Sequence, residues 1–335
     1  MRLPAARGPV SAAVVDALGS ALGDSRSASA LVDVAGGSVS QGREDHEDHE
    51  DALLALWVLP ELSYRGFDGV DEGWEWDLDL VTVRVGLEHD LERRLRARWA
   101  QAAPTTVDLD GLGVGDALVA LVDDDQGPSL ARHLHHDGTR EQALELLRQR
   151  SVYHLKEADP TAWVVPRLTA QTKAALCGIQ YDEYGAGDPT RLHHQLFADG
   201  LASAGLDAAY GGYVDQALPA VLEQNTALSM FGLHRRLRGA ALGHFAAVES
   251  TSSLPSRQLA QALRRLEVSP QMEGYYTEHV EADAVHEQLA VRDVCGSLVE
   301  QEPHLRDDVL FGAWTYLDLE ARTAASLLAR WGVAA

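Results

Sequence analysis

The stretch Tyr275-Tyr276-Thr277-Glu278-His279-Val280-Glu281-Ala282-Asp283-Ala284-Val285-His286 decides how this chain is read. It has the form H-x-x-x-D-x-x-H inside a helical pattern. At 3.6 residues per turn, positions i, i+4 and i+7 fall within about 60° of one another on one helix face. Two imidazoles and a carboxylate on one face make half of a metal site. Their oxygen and nitrogen donors suit iron, manganese or zinc. Acidic helices also carry such spacings without binding a metal, so the rest of the chain must supply partners.

Three further segments supply them. Tyr181-Asp182-Glu183-Tyr184-Gly185-Ala186-Gly187-Asp188-Pro189-Thr190-Arg191-Leu192-His193 has a carboxylate ending one helical run and a His opening the next. Gly185, Gly187 and Pro189 break the helix between them, which lets Glu183 and His193 converge from different directions. Gly243-His244-Phe245-Ala246-Ala247-Val248-Glu249 places Glu249 near the end of a helix rich in small residues, before Pro255. Ser151-Val152-Tyr153-His154-Leu155-Lys156-Glu157 places Glu157 at another helix end, before Pro160.

The order and spacing of Glu157, Glu183, His193, Glu249, His279, Asp283 and His286 resemble the heme-oxygenase-like diiron oxidases and oxygenases, a family of iron-containing redox enzymes. The wording "YDEYG", "GLHRRLRG", "GHFAAVESTSSLP" and "EHVEADAVHEQ" is similar to a bacterial branch of that family. The resemblance covers about the last 200 residues. It implies one iron on Glu157, Glu183, His193 and His286. It implies a second on Glu183, Glu249, His279 and Asp283, with Glu183 bridging and an open position on each metal for dioxygen. Charge agrees with it. Four carboxylates and two Fe(II) ions sum to zero with neutral imidazoles, and a neutral cluster can be buried where unpaired carboxylates cannot. A ferritin-like site needs two Glu-x-x-His repeats, and the chain has none. A structural zinc site would favour Cys and a closed four-ligand shell.

Composition bounds the remaining classes. At 335 residues with 46% apolar side chains, the chain can bury a large core. No apolar run approaches the ~18 residues of a membrane span, and Met1–Gly8 lacks the apolar stretch of a signal peptide. Two cysteines, Cys177 and Cys295, make no disulfide framework, and a reducing cytoplasm is the expected location. Both are expected in the core. A net charge of −23 argues against nucleic acid and anionic membranes.

The N-terminal part carries no ligand that the resemblance assigns. A helix is expected from Val10 to Leu22 and an Arg-rich amphipathic one from Val81 to Trp99. The acidic run Asp45–Asp51 reads as a solvated helix start, and Trp74-Glu75-Trp76-Asp77 as core packing. Gly111-Leu112-Gly113-Val114-Gly115-Asp116 lacks the third glycine and the βαβ frame of a dinucleotide loop, so it reads as a turn. His133-Leu134-His135-His136-Asp137 reads as a helix end, where His⁺ suits the dipole. His234-Arg235-Arg236-Leu237-Arg238 reads as a salt-bridged face, with a substrate carboxylate clamp as the alternative. His154, His194 and His244 are read as packing or supporting residues. Helical periods run from Thr139 onward, broken near Pro160, Gly185–Pro189, Gly211–Gly212, Pro255, Pro270 and Pro303, with no strand series.

The expectation is therefore an all-α protein. Residues 126–335 form a heme-oxygenase-like bundle, and residues 1–125 an added helical layer whose expected role is homodimerisation. The expected activity is that of a nonheme diiron oxidase or oxygenase. It would use two Fe2+ ions and O2 to oxidise a small organic substrate of amino acid, amine or fatty acid type. An electron donor is a candidate partner. Three other readings stay open: a heme protein of the same fold with His154 as axial ligand, a metal-free enzyme of that fold, and a non-catalytic interaction protein.

Overall fold

Leu- and Ala-rich periods become helices here wherever an apolar stripe finds a facing surface. A computed structural model describes residues 1–21, 46–102, 109 and 111–333, and for residues 46–48 and 281–285 the backbone only. The N-terminal helices are α1 (Pro9–Leu18), α2 (His46–Glu61) and α3 (Leu78–Ala102). Helices α4 (Val114–Asp123), α5 (Leu130–His136) and α6 (Arg140–His154) follow, then a single turn α7 (Asp159–Ala162). The central elements are α8 (Ala170–Glu183), α9 (His193–Ser203), α10 (Pro219–Leu233) and α11 (Arg238–Arg265). Helix α12 (Pro270–Gln288) runs into a π-helical segment, Leu289–Gly296, followed by α13 (Ser297–Gln301) and α14 (Arg306–Arg330). No strand occurs among the described residues. The protein is all-α.

The long helix α11 is the spine, packed against α12 on one side and α14 on another. Where α11 and α14 cross, a Cβ on Gly243 would lie 1.8 Å from the Val309 carbonyl oxygen, and one on Gly312 would lie 1.9 Å from that of Ala240. Only glycine permits backbones this close. Pro255, expected to end α11, lies inside it. A proline removes one helical hydrogen bond but need not end a helix that is held by neighbours on both sides. The hydroxyls of Ser250, Thr251 and Ser252 bond carbonyls of the preceding turn at Ala246, Ala247 and Glu249.

One buried cluster takes Val14, Leu54 and Trp57 from the N-terminal helices together with Phe231, Leu242 and Leu310 from the bundle. Polar contacts add to it. Arg96 meets Asp308, Arg98 meets Glu223, His234 meets Glu88 and Arg236 meets Glu92. The basic run at 234–238 is thus a salt-bridged face; Arg238 pairs with Glu302. A second cluster, with Leu134, Leu146, Phe197, Met272 and Leu327, fills the space around α5, α6, α9 and the start of α12.

Several local expectations change. Asp51 is not solvated: it is buried and its carboxylate accepts from Val10 N at 2.7 Å and Ser11 N at 2.8 Å, capping α1. Cys295 is buried, but Cys177 is exposed, because it falls on the α8 face opposite Leu176 and Ile179. Trp74 is core, whereas its neighbour Trp76 is 73% exposed. The helix expected over Val10–Leu22 ends at Leu18, and residue 22 lies outside the described residues.

Candidate metal centre

Glu183 is the last residue of α8 and His193 the first of α9. Between them Gly185, Ala186 and Gly187 all have positive φ, at 66°, 54° and 87°. This left-handed run folds the chain back so tightly that a Cβ on Gly185 would lie 2.6 Å from the Arg191 carbonyl carbon. The reversal sets His193 Nδ1 2.9 Å from Glu183 Oε2. Glu157 follows the end of α6, Glu249 sits in mid-α11, and His279 and His286 lie two turns apart on α12.

These six side chains converge as two groups. Glu157, His193 and His279 bring one ligand atom each within 4.8 Å of one another, and Glu183, Glu249 and His286 do the same. Glu183 adjoins both, since its other oxygen is 3.9 Å from His286 Nδ1. The grouping differs from that implied by the resemblance: His279 and His286 change places. Along α12 they are separated by about 10 Å of helix rise, and the Glu157–His193 side faces the upper turn while the Glu183–Glu249 side faces the lower. Asp283, the seventh expected residue, lies on the same helix in the segment described by its backbone only.

The supporting contacts fix which nitrogen of His279 and of His286 faces inward. His279 Nδ1 is 2.9 Å from the Tyr275 carbonyl oxygen, which can only accept. Nδ1 therefore carries the proton, and Nε2 turns toward Glu157 Oε1 at 3.4 Å. His286 uses the opposite nitrogen: Nε2 donates to Asp182 Oδ2 at 3.2 Å, and Nδ1 faces Glu249 Oε2 at 3.5 Å. His193 Nδ1 and His286 Nδ1 are buried and make no hydrogen bond despite the carboxylates beside them. A nitrogen lone pair and carboxylate oxygens aimed at one point, with the outer nitrogen held by a carbonyl or carboxylate, is the donor arrangement of a cation site. The residues fit a metal.

Without one, protons balance the charge. Burial alone would lower the His286 pKa, but Glu249, Asp182 and Glu183 outweigh it and raise it to about 9. His193 is raised likewise: burial opposes and Glu183 wins. Burial would raise Glu157, but His154 and His279 hold it well below the usual carboxylate range.

Tyr275 and Asp182 were not singled out from the sequence. Tyr275 Oη lies 2.9 and 3.0 Å from the two Glu157 oxygens and 2.7 Å from His154 Nδ1. The signals were one helical turn between Tyr275 and His279, and adjacency between Asp182 and Glu183. His154, the axial ligand of the heme reading, is engaged on Nδ1 by Glu157 and Tyr275 and stacks on Phe197. His244 is buried with edge contacts to Phe231 and Tyr316. His194 is half-buried on α9.

Fold and centre together define an all-α protein whose carboxylates and histidines converge in two groups that could hold a metal. The profile of the iron-containing redox enzyme family matches residues 144–321, more than half of the chain, and the chain belongs to that family. Its bundle is of the heme-oxygenase-like kind. No curated protein matches the chain.

Proposed function

We propose that this protein is a nonheme diiron oxidase or oxygenase acting on a small organic substrate. The observation that carries the reading is the pair of three-residue groups with Glu183 between them. In this reading Glu157, His193 and His279 would hold one metal and Glu183, Glu249 and His286 the other, with Glu183 adjoining both groups and Asp283 completing the set. The chemistry such a pair supplies is activation of dioxygen and oxidation of an organic substrate.

The chain's own groups have distinct tasks. The Tyr275 hydroxyl keeps its proton, because burial and then the Glu157 charge push its pKa well above the usual phenol value. It therefore stays a donor and orients Glu157. Burial lowers the His154 pKa against the pull of Glu157. Its Nδ1 shares the Tyr275 and Glu157 contacts. A cavity of about 210 Å³ adjoins the centre, bounded by Leu228, Phe245, Val248 and Leu259 as well as by Glu157, Glu183 and Glu249. Apolar walls of this kind exclude water from a reacting centre.

Anaerobic loading with Fe(II) followed by metal analysis should give two irons per chain. Glu183→Ala should lose both, and His279→Ala and His286→Ala one each. Oxygen uptake should then depend on iron and rise with a substrate from a panel of amino acids, amines and fatty acids. One iron per wild-type chain, or full loading of Glu183→Ala, defeats the assignment. Two irons without oxygen uptake on any member of the panel defeats the redox role.

A further inference from the structure

The cavity beside the metal centre also holds a charged pair that the metal reading leaves unused. Arg150 lies on α6, one turn before its end at His154 and seven residues before Glu157. Its guanidinium grips Glu320 of α14 with both terminal nitrogens, and Gln224 Nε2 donates to Glu320 Oε2 at 3.0 Å. Both residues line the cavity, and the side chains keep 20% and 25% of their surface accessible. Arg150 still has three N–H donors, its Nε–H and one on each terminal nitrogen. Glu320 Oε1 still has a lone pair.

Further polar atoms of the lining await a partner. Asn225 donates through Nδ2 to Val221 O, leaving Oδ1 buried with no donor. The Tyr276 hydroxyl is buried with no partner as well. Groups like these cost free energy unless something bonds to them. Asn225 Oδ1 asks for a donor, while Tyr276 Oη can give a hydrogen bond to an anion.

Charge decides what fits. Arg150 and Glu320 cancel, so this part of the cavity is neutral. At its exposed rim stands Asp125, whose carboxylate also accepts from Gly127 N at 3.0 Å. A simple carboxylate would meet Arg150 with Glu320 and an acidic rim beside it. A simple amine would meet Glu320 with Arg150 beside it. Only a zwitterion offers each charge its complement and leaves the buried set neutral. Size agrees: an apolar cavity of about 150 Å³ accepts benzene, and this one measures about 210 Å³.

We propose that Arg150, Glu320, Asn225 and Tyr276 form a headgroup site for a zwitterionic α-amino acid, whose apolar chain extends toward Glu157 and His279. The carboxylate binds the spare Arg150 donors and Tyr276 Oη; the ammonium binds Glu320 Oε1 and Asn225 Oδ1. This rests on the reaction proposed above, because it names that reaction's substrate class.

The test is calorimetric titration of the anaerobic Fe(II)-loaded protein with L-norleucine, hexanoate and pentylamine. Norleucine should bind at least about tenfold more tightly than either. Hexanoate or pentylamine binding as well as norleucine, or no norleucine binding, overturns the proposal. Arg150→Met/Glu320→Met removes the pair without stranding a buried charge. It should keep its iron and lose the preference for norleucine; an unchanged norleucine affinity overturns the proposal. Tyr276→Phe deletes only an unpartnered hydroxyl and should weaken norleucine about fivefold while leaving pentylamine unaffected; equal effects on both count against it. Iron content measured on the same samples separates the two ideas. Norleucine binding without iron removes the diiron function and keeps the headgroup site, and iron without norleucine binding does the reverse.

Discussion

The inward nitrogens of His279 and His286 are set by neighbours outside the two groups. Asp182 holds His286 by Nε2, and a carboxylate in that position also raises the basicity of Nδ1. Asp182→Asn keeps an acceptor but loses the charge, so iron affinity should fall about 10- to 100-fold at the Glu183–Glu249–His286 group alone. Competition with a chromophoric chelator would read this, and biphasic release with one unchanged phase is the expected form. A second residue, His244, makes a prediction about pH. It is fully buried among aromatic rings, and burial lowers its pKa to about 3. The unfolded chain would take up a proton near pH 6.5 where the folded one does not. Its share of stability is thus complete above about pH 6.5 and is lost as pH falls toward 3, by about 1.4 kcal/mol per unit. His244→Phe should flatten the acid limb of a denaturation series between pH 6 and 4; an unchanged slope would mean His244 titrates normally. At this scale the sequence exposed, through their spacing, the carboxylates and histidines that converge. It did not expose Asp182, Tyr275 or the cavity-facing Arg150, whose roles depend on contacts between distant helices.

Helices were legible where one period ran long and stopped at a clear signal. Glu183 and His193 stand at the two helix ends their Gly-rich separator implied, because positive φ at Gly185 and Gly187 is a local property. Pro255 misled, since its effect depends on what surrounds the helix rather than on the helix itself. The π-helical segment Leu289–Gly296 was not legible: its 8 residues make about two turns, too few to tell a slightly wider period from the α-helical one. It follows the ligand helix directly and buries Ala290, Val291, Val294 and Cys295. The α11–α14 crossing carries its own prediction. Gly243→Ala or Gly312→Ala would force backbones apart, so each should cost about 1–3 kcal/mol or more. Denaturant midpoints would show it. Because α11 carries Glu249, iron content should fall with stability, whereas Gly178→Ala, inside α8 and meeting nothing within 4 Å, should leave iron content unchanged and raise stability by about 0.5–1 kcal/mol.

At the scale of the molecule, the N-terminal helices brace the bundle from outside the metal centre. Glu61 of α2 is fully buried and pairs with Lys156, next to Glu157, while Tyr210 Oη donates to Glu61 at 2.6 Å. That holds the Glu157 turn whether or not a metal is bound. Helix α8 is likewise anchored by Leu176 and Ile179, and α11 by buried residues on both sides of Glu249. Helix α12 differs. Between Tyr276 and Ala290 the buried side chains among its described residues are His279 and His286. Both belong to the groups that face the centre. A metal in each group would tie both histidines to carboxylates from other parts of the chain. Without it, the same carboxylates converge and the balance falls to protons on His193 and His286, whose raised pKa values record that strain on charge. Two carboxylates about 4 Å apart repel by roughly 4 kcal/mol at an effective dielectric near 20, a large part of a domain's stability. The helix that contributes a histidine to each group should yield first. Amide exchange of metal-free protein should be faster over residues 277–288 than in α8 or α11, and Fe(II) should remove the difference. Equal protection of all three helices in both states would mean that the centre is preformed and that α12 is held by something other than its histidines.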